Sequence, residues 1–398
     1  MNLGIKANAR PFCLLILINV FVGATVGLER AVLPLIAKSS FGLVSKSVTL
    51  SFLISFGLTK AFANLFAGYV CDRIGRKGML ITGWLAGLPV PFLIMFAPAW
   101  GWIVFANVLL GINQGLCWST TLIMMIDLAG PKRRGLAIGV NEFVGYAGVA
   151  LSALMTGYLA TAYGLRPAPF YPGIAFVIAG LALSCFVLDT RAHVCSEAGV
   201  SPSRPAFLQI ALLTLWKQPA MFSASQAGMV NKIGDGLVWG LLPIFWSTAG
   251  MSVAQIGFAA ATYPAVWGIC QLLTGELSDR WSRKWMIAAG MWMQAGGIGV
   301  FLLGAGVPIA VTGAAALGLG TALVYPTLLA TIADAAQPAW RASALGVYRM
   351  WRDAGYAASA LLAGTLADSM GIPTAIAAVA GLTFCSGVVV AMRMSKTE

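Results

Sequence analysis

The chain has 398 residues, of which 59% are hydrophobic and only 10% are charged, and its formal net charge is +12. Soluble proteins carry about 25% charged residues, so this composition excludes an ordinary soluble domain and indicates a protein embedded in lipid. The positive charge alone could indicate nucleic-acid binding, but its distribution along the chain argues against that class.

Apolar windows follow one another along the chain, and each can cross a bilayer core, which takes roughly 20 residues of helix. The first window has no small-residue cleavage site after a short apolar core, so it is interpreted as a retained span rather than a signal peptide. Twelve spans are predicted, at residues 12–36, 48–70, 79–98, 101–126, 135–161, 170–189, 219–247, 253–276, 284–305, 308–332, 342–366 and 371–392.

Basic residues concentrate on one side of these predicted spans. If the N-terminus is cytoplasmic, the outer loops hold only Lys38, Lys46 and Arg166, and most other Lys and Arg residues lie in inner loops and tails. Cytoplasmic loops typically carry such an excess, so both termini are predicted to be cytoplasmic. The basic excess is therefore a topology signal and not a nucleic-acid-binding surface.

The chain is predicted to divide into two halves of six spans each. Residues 1–189 form the N-terminal bundle and residues 219–398 the C-terminal bundle. The polar segment 190–218 between them is interpreted as a cytoplasmic linker with room for one short interfacial helix.

Charged loop residues recur at a fixed offset of 207 residues, which indicates that the two bundles arose by duplication. Many secondary transporters contain repeats of this kind and form a central site between them that can face either side of the membrane. The offset superposes Asp72-Arg73 and Arg76-Lys77 on Asp279-Arg280 and Arg283-Lys284, Asp127 on Asp334, Arg134 on Arg341, and Gly139 on Gly346.

The loop Gly68-Tyr-Val-Cys-Asp72-Arg73-Ile-Gly75-Arg76-Lys77, between spans 2 and 3, resembles the signature loop of the major facilitator superfamily. Its second copy, between spans 8 and 9, and the loops after spans 4 and 10 are also similar to those of the family. The resemblance implies an all-α membrane protein with twelve transmembrane helices in two pseudo-symmetric six-helix bundles. It also implies a conformational gate formed by Gly68, Asp72, Arg73, Gly75, Arg76, Lys77, Asp127, Arg134, Asp279, Arg280, Asp334 and Arg341.

In that gate, the resemblance places the Asp72 carboxylate near Arg341 and Ala342 at the start of span 11, where unpaired helix amides favour a negative charge. Such a contact could hold the cytoplasmic side shut and release during the transport cycle; the alternative is that Arg73, Arg76 and Lys77 only anchor the topology. Two features depart from the family. Asn107 stands in span 4 where many proton-coupled members carry an arginine, and span 5 lacks the Gly-Pro signature of drug antiporters. Both weaken an interpretation as a multidrug exporter and leave the fold unaffected.

Ionisable side chains inside a membrane are costly, so they usually face a partner or a cavity and often serve function. Lys60 in span 2 and Asp353 in span 11 lie at equal depth on neighbouring spans, which predicts an inter-bundle ion pair; a purely structural brace is the alternative interpretation. Lys232 and Asp235 are one helical turn apart, so they either satisfy each other or contact the substrate. The candidate proton-coupling residues are Glu29, Glu142, Asp235 and Asp353, with Glu29 preferred.

The resemblance implies that spans 1, 4, 7 and 10 line a central cavity and that spans 2, 5, 8 and 11 form the contacts between bundles. Amides, aromatic rings and both signs of charge occur there, a mixture that suits a small amphipathic organic solute. Cations outnumber acids within the spans, which favours an anionic or zwitterionic solute. The substrate-binding candidates are Arg30, Asn113, Gln114, Trp118, Lys232, Asp235, Tyr325, Arg349 and Arg352.

No cofactor, metal or catalytic site is expected. The single histidine, His193, lies in the linker, and the chain has no Cys-x-x-Cys pair, Walker loop or Rossmann glycine motif. These features disfavour an enzyme and an ATP-driven pump.

We therefore expect a secondary active transporter in the cytoplasmic membrane, which moves a small organic solute by alternating access and is coupled to protons, with export favoured. The alternatives are a proton-coupled importer of an organic anion or nutrient and, from a different class, a non-transporting membrane receptor or scaffold. The expected partners are a small-molecule substrate, protons and the lipid bilayer, without nucleic acid. The protein is expected to be a monomer.

Overall fold

The computed structural model describes residues 4–129, 133–190, 205–337 and 340–394, and the regular structure in these ranges is helical. Within the helices, the side chains of residues 68–74, 134–135, 275–276, 278–280 and 342 lie outside the description.

Twelve membrane spans form two bundles of six, as the sequence predicts. In the first bundle the helices are Ala9–Arg30 and Leu33–Phe41 (span 1), Lys46–Thr49 and Ser51–Gly87 (span 2 and the start of span 3), Val90–Phe96 (the end of span 3), Trp100–Ala129 (span 4), Arg134–Tyr163 (span 5) and Tyr171–Cys185 (span 6). In the second they are Pro219–Gly240 and Leu242–Thr248 (span 7), Val253–Arg280 (span 8), Arg283–Val300 (span 9), Val307–Ala335 (span 10), Arg341–Asp353 and Gly355–Met370 (span 11) and Ile372–Arg393 (span 12).

Because the number of spans is even, the first and last described residues lie on one side of the membrane, here named the terminal face. The other side is named the opposite face. Spans 2 and 3 meet at the terminal face within one continuous run of helix, which turns at Gly75. This glycine has a φ of 83° and a ψ of 161°, a backbone conformation that residues with a Cβ rarely adopt. The glycine of the predicted gate loop is therefore required by the turn itself.

Nine helices within the described residues are long and apolar enough to cross a membrane, by length and composition. The other three spans, 2, 7 and 11, carry charged residues, including Lys60, Asp235 and Asp353. Spans 7 and 11 are also broken, at Leu241 and Ala354. Broken helices at membrane depth are tolerated where protein or a cavity surrounds them, so these spans are suited to the interior of the molecule.

The two bundles contact each other mainly through spans 5 and 8 and through spans 2 and 11. Spans 5 and 8 approach so closely that a Cβ on Gly157 would lie 2.8 Å from the Cα of Gly257. Spans 2, 7 and 11 meet through aromatic rings: the ring centroid of Phe56 lies 4.9 Å from that of Trp239 and 5.3 Å from that of Tyr356. The apolar core therefore continues from one bundle into the other.

A short helix, Phe207–Leu212, precedes span 7 and is followed by a π-helical turn, Leu213–Lys217. Ile210 and Thr214 are buried against the second bundle, whereas Phe207, Leu208 and Trp216 are exposed. Apolar side chains exposed at the end of a span are suited to the membrane interface. Residues 191–204 of the predicted linker lie outside the described residues.

Candidate functional site

A buried carboxylate in span 7 joins the two bundles. Asp235 accepts hydrogen bonds from Arg30 Nη1 at 2.7 Å, from Lys232 Nζ at 2.8 Å and from Tyr356 Oη at 2.5 Å. These side chains come from spans 1, 7 and 11, and all four are buried. The Arg30 guanidinium also lies 5.0 Å from the ring centroid of Trp239. Lys232 and Asp235 do meet on one helix face, and Arg30 of the other bundle shares their carboxylate.

A second buried carboxylate, Asp353 in span 11, belongs to a different network from the one predicted. Its Oδ1 accepts from Arg352 Nε at 2.7 Å and its Oδ2 from Asn64 Nδ2 at 2.6 Å. Among the described residues, Lys60 has no ion pair or hydrogen bond, and its ammonium lies 5.7 Å from the ring centroid of Trp118. The predicted Lys60–Asp353 pair is therefore not formed: Lys60 turns toward span 4, and Asn64, one helical turn along span 2, takes the carboxylate.

The same network continues into the first bundle through span 4. Ser119 Oγ donates to Asn64 Oδ1 at 2.7 Å, and Arg349 Nη1 donates to Ser119 Oγ at 3.4 Å. A chain of polar contacts thus runs from Arg349 in span 11 through spans 4 and 2 and back to span 11.

A cavity lies between the bundles beside these two clusters. Both bundles contribute charged, amide and aromatic side chains to its walls. The lining residues are Lys60, Asn64, Trp118, Ser119, Glu142, Tyr146, Tyr325, Arg349 and Arg352. Of the predicted substrate-binding residues, the structure brings Trp118, Tyr325, Arg349 and Arg352 together here, along with Glu142 from the predicted proton-coupling set.

Aromatic rings form a continuous wall on one side of this cavity. The ring centroid of Tyr146 lies 5.2 Å from that of Trp118 and 3.6 Å from that of Trp267, which in turn lies 5.5 Å from that of Tyr325. Because Tyr146 belongs to span 5 and Trp267 to span 8, the wall crosses from one bundle to the other.

The predicted substrate-binding residues Arg30, Lys232 and Asp235 belong to the neighbouring cluster, and two others lie away from both cluster and cavity. Asn113 and Gln114 of span 4 are fully buried inside the first bundle and are not among the residues that line the cavity. Asn113 Nδ2 donates to the Gly83 carbonyl at 2.9 Å, and Gln114 Nε2 donates to the Val22 carbonyl at 2.8 Å. These amides join span 4 to spans 3 and 1, so they hold the first bundle together and do not face the cavity.

Glu29 faces a separate pocket inside the first bundle, formed by spans 1, 3, 4 and 6. Its side chain is 1% exposed, and among the described residues neither carboxylate oxygen makes a hydrogen bond of good geometry, although the Asn107 side chain lies near them. The remaining lining residues are neutral, and most are apolar. The neighbouring residue, Arg30, points the other way, toward Asp235. Consecutive positions of span 1 thus place an acid inside the first bundle and a cation at the interface.

Among the described residues, the predicted gate residues Asp127 and Asp334 each form an ion pair, with Arg76 of the gate and with Arg283, which was not assigned to the gate. Arg76 Nε lies 2.6 Å from Asp127 Oδ2, and Arg283 Nη1 pairs with Asp334 Oδ2. Both members of the second pair follow those of the first by 207 residues, so the duplication preserved the contact between the start of spans 3 and 9 and the end of spans 4 and 10. Lys77 Nζ donates to the Cys185 carbonyl at 2.6 Å.

Several residues of the predicted gate lie outside the described side chains: Gly68, Asp72, Arg73, Arg134, Asp279 and Arg280. The predicted contact of Asp72 with the region of Arg341 and Ala342 therefore stays a prediction.

On the opposite face, a carboxylate that sequence reasoning missed joins the bundles. Asp368, near the end of span 11, accepts from the backbone amides of Lys46 and Ser47 at 2.5 and 2.9 Å. It also accepts from the hydroxyls of Ser45 and Ser47 at 2.8 and 2.6 Å. Asp368 thus binds the N-terminal end of span 2, where unpaired amides favour an anion.

Other residues missed by sequence reasoning are neutral: Asn64, Ser119, Tyr146 and Trp267. Asn64 lies one helical turn from Lys60, so the spacing of polar residues along span 2 could have identified it. The others follow no charge pattern, and their position at the interface depends on how each helix is rotated in the bundle.

This fold and this interfacial cavity define a membrane transporter built from two six-helix bundles. A sequence profile of the Major Facilitator Superfamily matches residues 15–233 and, a second time, residues 225–398. The chain belongs to this superfamily, whose members are transporters rather than enzymes.

Similar curated proteins include the multidrug resistance protein MdtG of Escherichia fergusonii, 26% identical over 65% of this chain and 63% of that protein. MdtG of Proteus mirabilis is 25% identical over 65% of this chain and 64% of that protein. The matches thus span somewhat less than two thirds of the length of these relatives. The crystal structure of the human organic anion transporter MFSD10 (TETRAN) has a TM-score of 0.69 at 14% identity, with 96% of this chain and 99% of that chain covered. This likeness concerns the fold.

Proposed function

We propose that this protein is a proton-coupled secondary transporter, which exports a small amphipathic organic solute across the cytoplasmic membrane by alternating access. The observation that carries the proposal is the cavity between the bundles, whose charged and aromatic walls come from both halves. A site between two repeats can be opened to either side when the repeats rock against each other.

The contacts between bundles support a rocking mechanism with the opposite face closed in this state. Asp368 binds the start of span 2, Gly157 contacts Gly257, and Gly240 packs against Leu50 and Leu53 on that face. The distribution of Lys and Arg favours placing the terminal face in the cytoplasm. A cavity that is closed toward the outside suits the state in which an exporter loads its solute from the cytoplasm.

Glu29 is our leading candidate for the proton site. An ionised carboxylate without a hydrogen-bond partner is very unfavourable in an apolar pocket, so we propose that Glu29 carries a proton in this state. It lies next to Arg30, which is bonded across the interface to Asp235. Glu29 can lose its proton only when water or a cation reaches the pocket. A movement of span 1 that admits them would therefore control the protonation of Glu29.

The direction of transport is supported by the relatives. Those named multidrug resistance protein suggest export, whereas Asn107 and the absence of a Gly-Pro signature in span 5 separate this chain from typical drug antiporters. We therefore propose export of a narrower set of solutes.

One observation favours proton-coupled uptake as a second candidate. Glu142, from the predicted proton-coupling set, lines the same cavity as Lys60, Arg349 and Arg352. A proton bound at Glu142 would remove the negative charge that competes for these cations, so proton and anionic solute would bind together and move in the same direction.

The test uses inside-out membrane vesicles that are made acidic inside. The radiolabelled solutes are naphthalene-2-sulfonate, naphthalene-2-sulfonamide and 2-naphthyltrimethylammonium, whose rings suit the aromatic wall and whose sulfonate and ammonium charges do not change with pH. An exporter that exchanges protons for solute accumulates at least one of them, relative to vesicles without the protein. An uptake symporter instead depletes preloaded vesicles.

Glu29→Gln should abolish accumulation driven by the pH gradient and preserve solute exchange without a gradient. If Glu29→Gln and Glu142→Gln both leave gradient-driven transport intact, the proposed coupling is wrong. If the wild-type protein moves none of the three solutes, the proposed transport function fails.

A further inference from the structure

Three cations line the central cavity, and the protein does not neutralise them fully. Lys60 belongs to the first bundle, while Arg349 and Arg352 belong to the second. Arg352 uses Nε and Nη2 to bind Asp353, and its Nη1 is buried without a hydrogen-bond partner in the part of the chain that the structure describes.

Lys60 and Arg349 have even less compensation among the described residues. The Lys60 ammonium lies only over rings, 5.5 Å from the centroid of Phe56 and 5.7 Å from that of Trp118. Arg349 donates one long hydrogen bond, 3.4 Å, to the neutral hydroxyl of Ser119. Because Trp118 and Ser119 are consecutive residues of span 4, the two cations reach the cavity at the same level, from opposite bundles.

Asp353 attracts Lys60 electrostatically, but among the described residues no acid forms an ion pair with Lys60 or Arg349. Asp353 is occupied by Arg352 and Asn64. Glu142, the single acid among the residues that line the cavity, accepts from Trp118 Nε1 at 2.9 Å. Buried cations are stable only when they are paired and hydrogen-bonded, so the cavity has more cationic donors than its own acceptors satisfy.

From this arrangement we infer that the transported solute is an organic anion, whose acidic group binds between Lys60 of the first bundle and Arg349 of the second. The solute's ring or apolar body then packs on Trp118, Tyr146 and Tyr325. This inference rests on the proposed transport function and names its substrate class. A carboxylate, sulfonate or phosphate monoester has the required chemistry, because Arg and Lys form charge-assisted hydrogen bonds with all three.

The anion acts as a bridge between the bundles. Without it, two cations face each other across the cavity and oppose closure of the bundles around the site. With it, both cations bind one group, and the bundles can close as a unit. The loaded carrier is therefore expected to change conformation more readily than the empty one, as transport of a solute requires.

The test compares the three naphthalene solutes used above, which share a ring system and differ in charge. Wild-type protein should transport naphthalene-2-sulfonate with a KM at least about tenfold below those of the sulfonamide and the trimethylammonium solute, since one charge-assisted hydrogen bond is worth about tenfold or more. Lys60→Gln and Arg349→Gln should each raise the KM for the sulfonate about tenfold or more and leave that for the sulfonamide within about twofold. Lys60→Arg and Arg349→Lys should restore much of the preference.

Arg166→Gln is the matched control, because Arg166 is a partly buried cation in the loop after span 5, away from the cavity. Its solute preference should equal that of the wild-type protein. A purely structural role for Lys60 or Arg349 would impair all solutes alike, and this result would overturn the inference. Transport of the sulfonamide or the ammonium solute in preference to the sulfonate would also overturn it, while the proposed function would stand. If none of the three solutes moves, the inference fails together with that function.

Discussion

Replacing Asp235 with asparagine removes the carboxylate that Arg30 of the first bundle and Lys232 and Tyr356 of the second share. The substitution keeps the size of the side chain and takes away its charge. Two cations then stay in a site where Arg30 and Lys232 are 3% and 2% exposed. Their remaining compensation is contact with aromatic rings, at 5.0 Å for Arg30 over Trp239 and 4.8 Å for Lys232 over Trp267, together with a hydrogen bond of 3.3 Å from Lys232 Nζ to Tyr356 Oη.

Breaking a buried ion pair by removing one partner costs about 3–5 kcal/mol, because the other charge is left uncompensated. Here two cations lose their partner at once, which raises the cost, and cation–π contacts worth up to about 2 kcal/mol each lower it. We expect Asp235→Asn to lower the free energy of unfolding by about 3–5 kcal/mol. Lys232→Met leaves a neutral Arg30–Asp235 pair, so its cost should stay near 1 kcal/mol.

The measurement is unfolding by SDS titration in detergent micelles, followed by tryptophan fluorescence, for the wild-type protein and both variants. The test depends more on which variant has the lower free energy of unfolding than on either value. If Asp235→Asn unfolds within about 1 kcal/mol of the wild-type protein, or if Lys232→Met is as unstable as Asp235→Asn, the carboxylate does not neutralise the two cations in the way described.

Two further predictions concern the ends of the spans. Asp127→Asn should cost about 1–3 kcal/mol in the same titration and Asp334→Asn less than about 1 kcal/mol, because Asp127 is 11% exposed and Asp334 is 58% exposed; equal costs would contradict this reasoning. Asp368→Asn should open the opposite face by weakening its hold on span 2. In a background without the native cysteines, Leu50→Cys should then react several-fold faster with a membrane-impermeant maleimide when Asp368→Asn is present than when it is absent. An unchanged labelling rate would mean that Asp368 does not keep this face closed.

The sequence identified the membrane architecture because that architecture depends on local and additive properties. A helix that crosses lipid must be mostly apolar, so the twelve spans could be predicted from hydropathy even though charged residues interrupt spans 2, 7 and 11. The 207-residue offset likewise marked Arg76, Asp127, Arg283 and Asp334 before any contact was known. That each arginine pairs with the aspartate of its own bundle is visible only in the structure.

The partners of the buried charges could not be predicted in the same way. Lys60 and Asp353 were matched by depth in the membrane, and they do lie near the same cavity. Depth gives the height of a residue along a span and says nothing about the direction in which its side chain points. The structure turns Lys60 toward Trp118, and Asn64 reaches Asp353 instead.

The same limit applies to the residues of span 4. Gln114 and Trp118 are one helical turn apart in the sequence, and both were predicted to face the substrate. Trp118 lines the cavity, whereas Gln114 donates to span 1 inside the first bundle. The rotation of each helix is set by the packing of all its neighbours. The number of spans and the duplication are therefore determined by the sequence alone. Which residues line the central cavity is decided by tertiary packing, because only packing fixes which face of each helix turns inward.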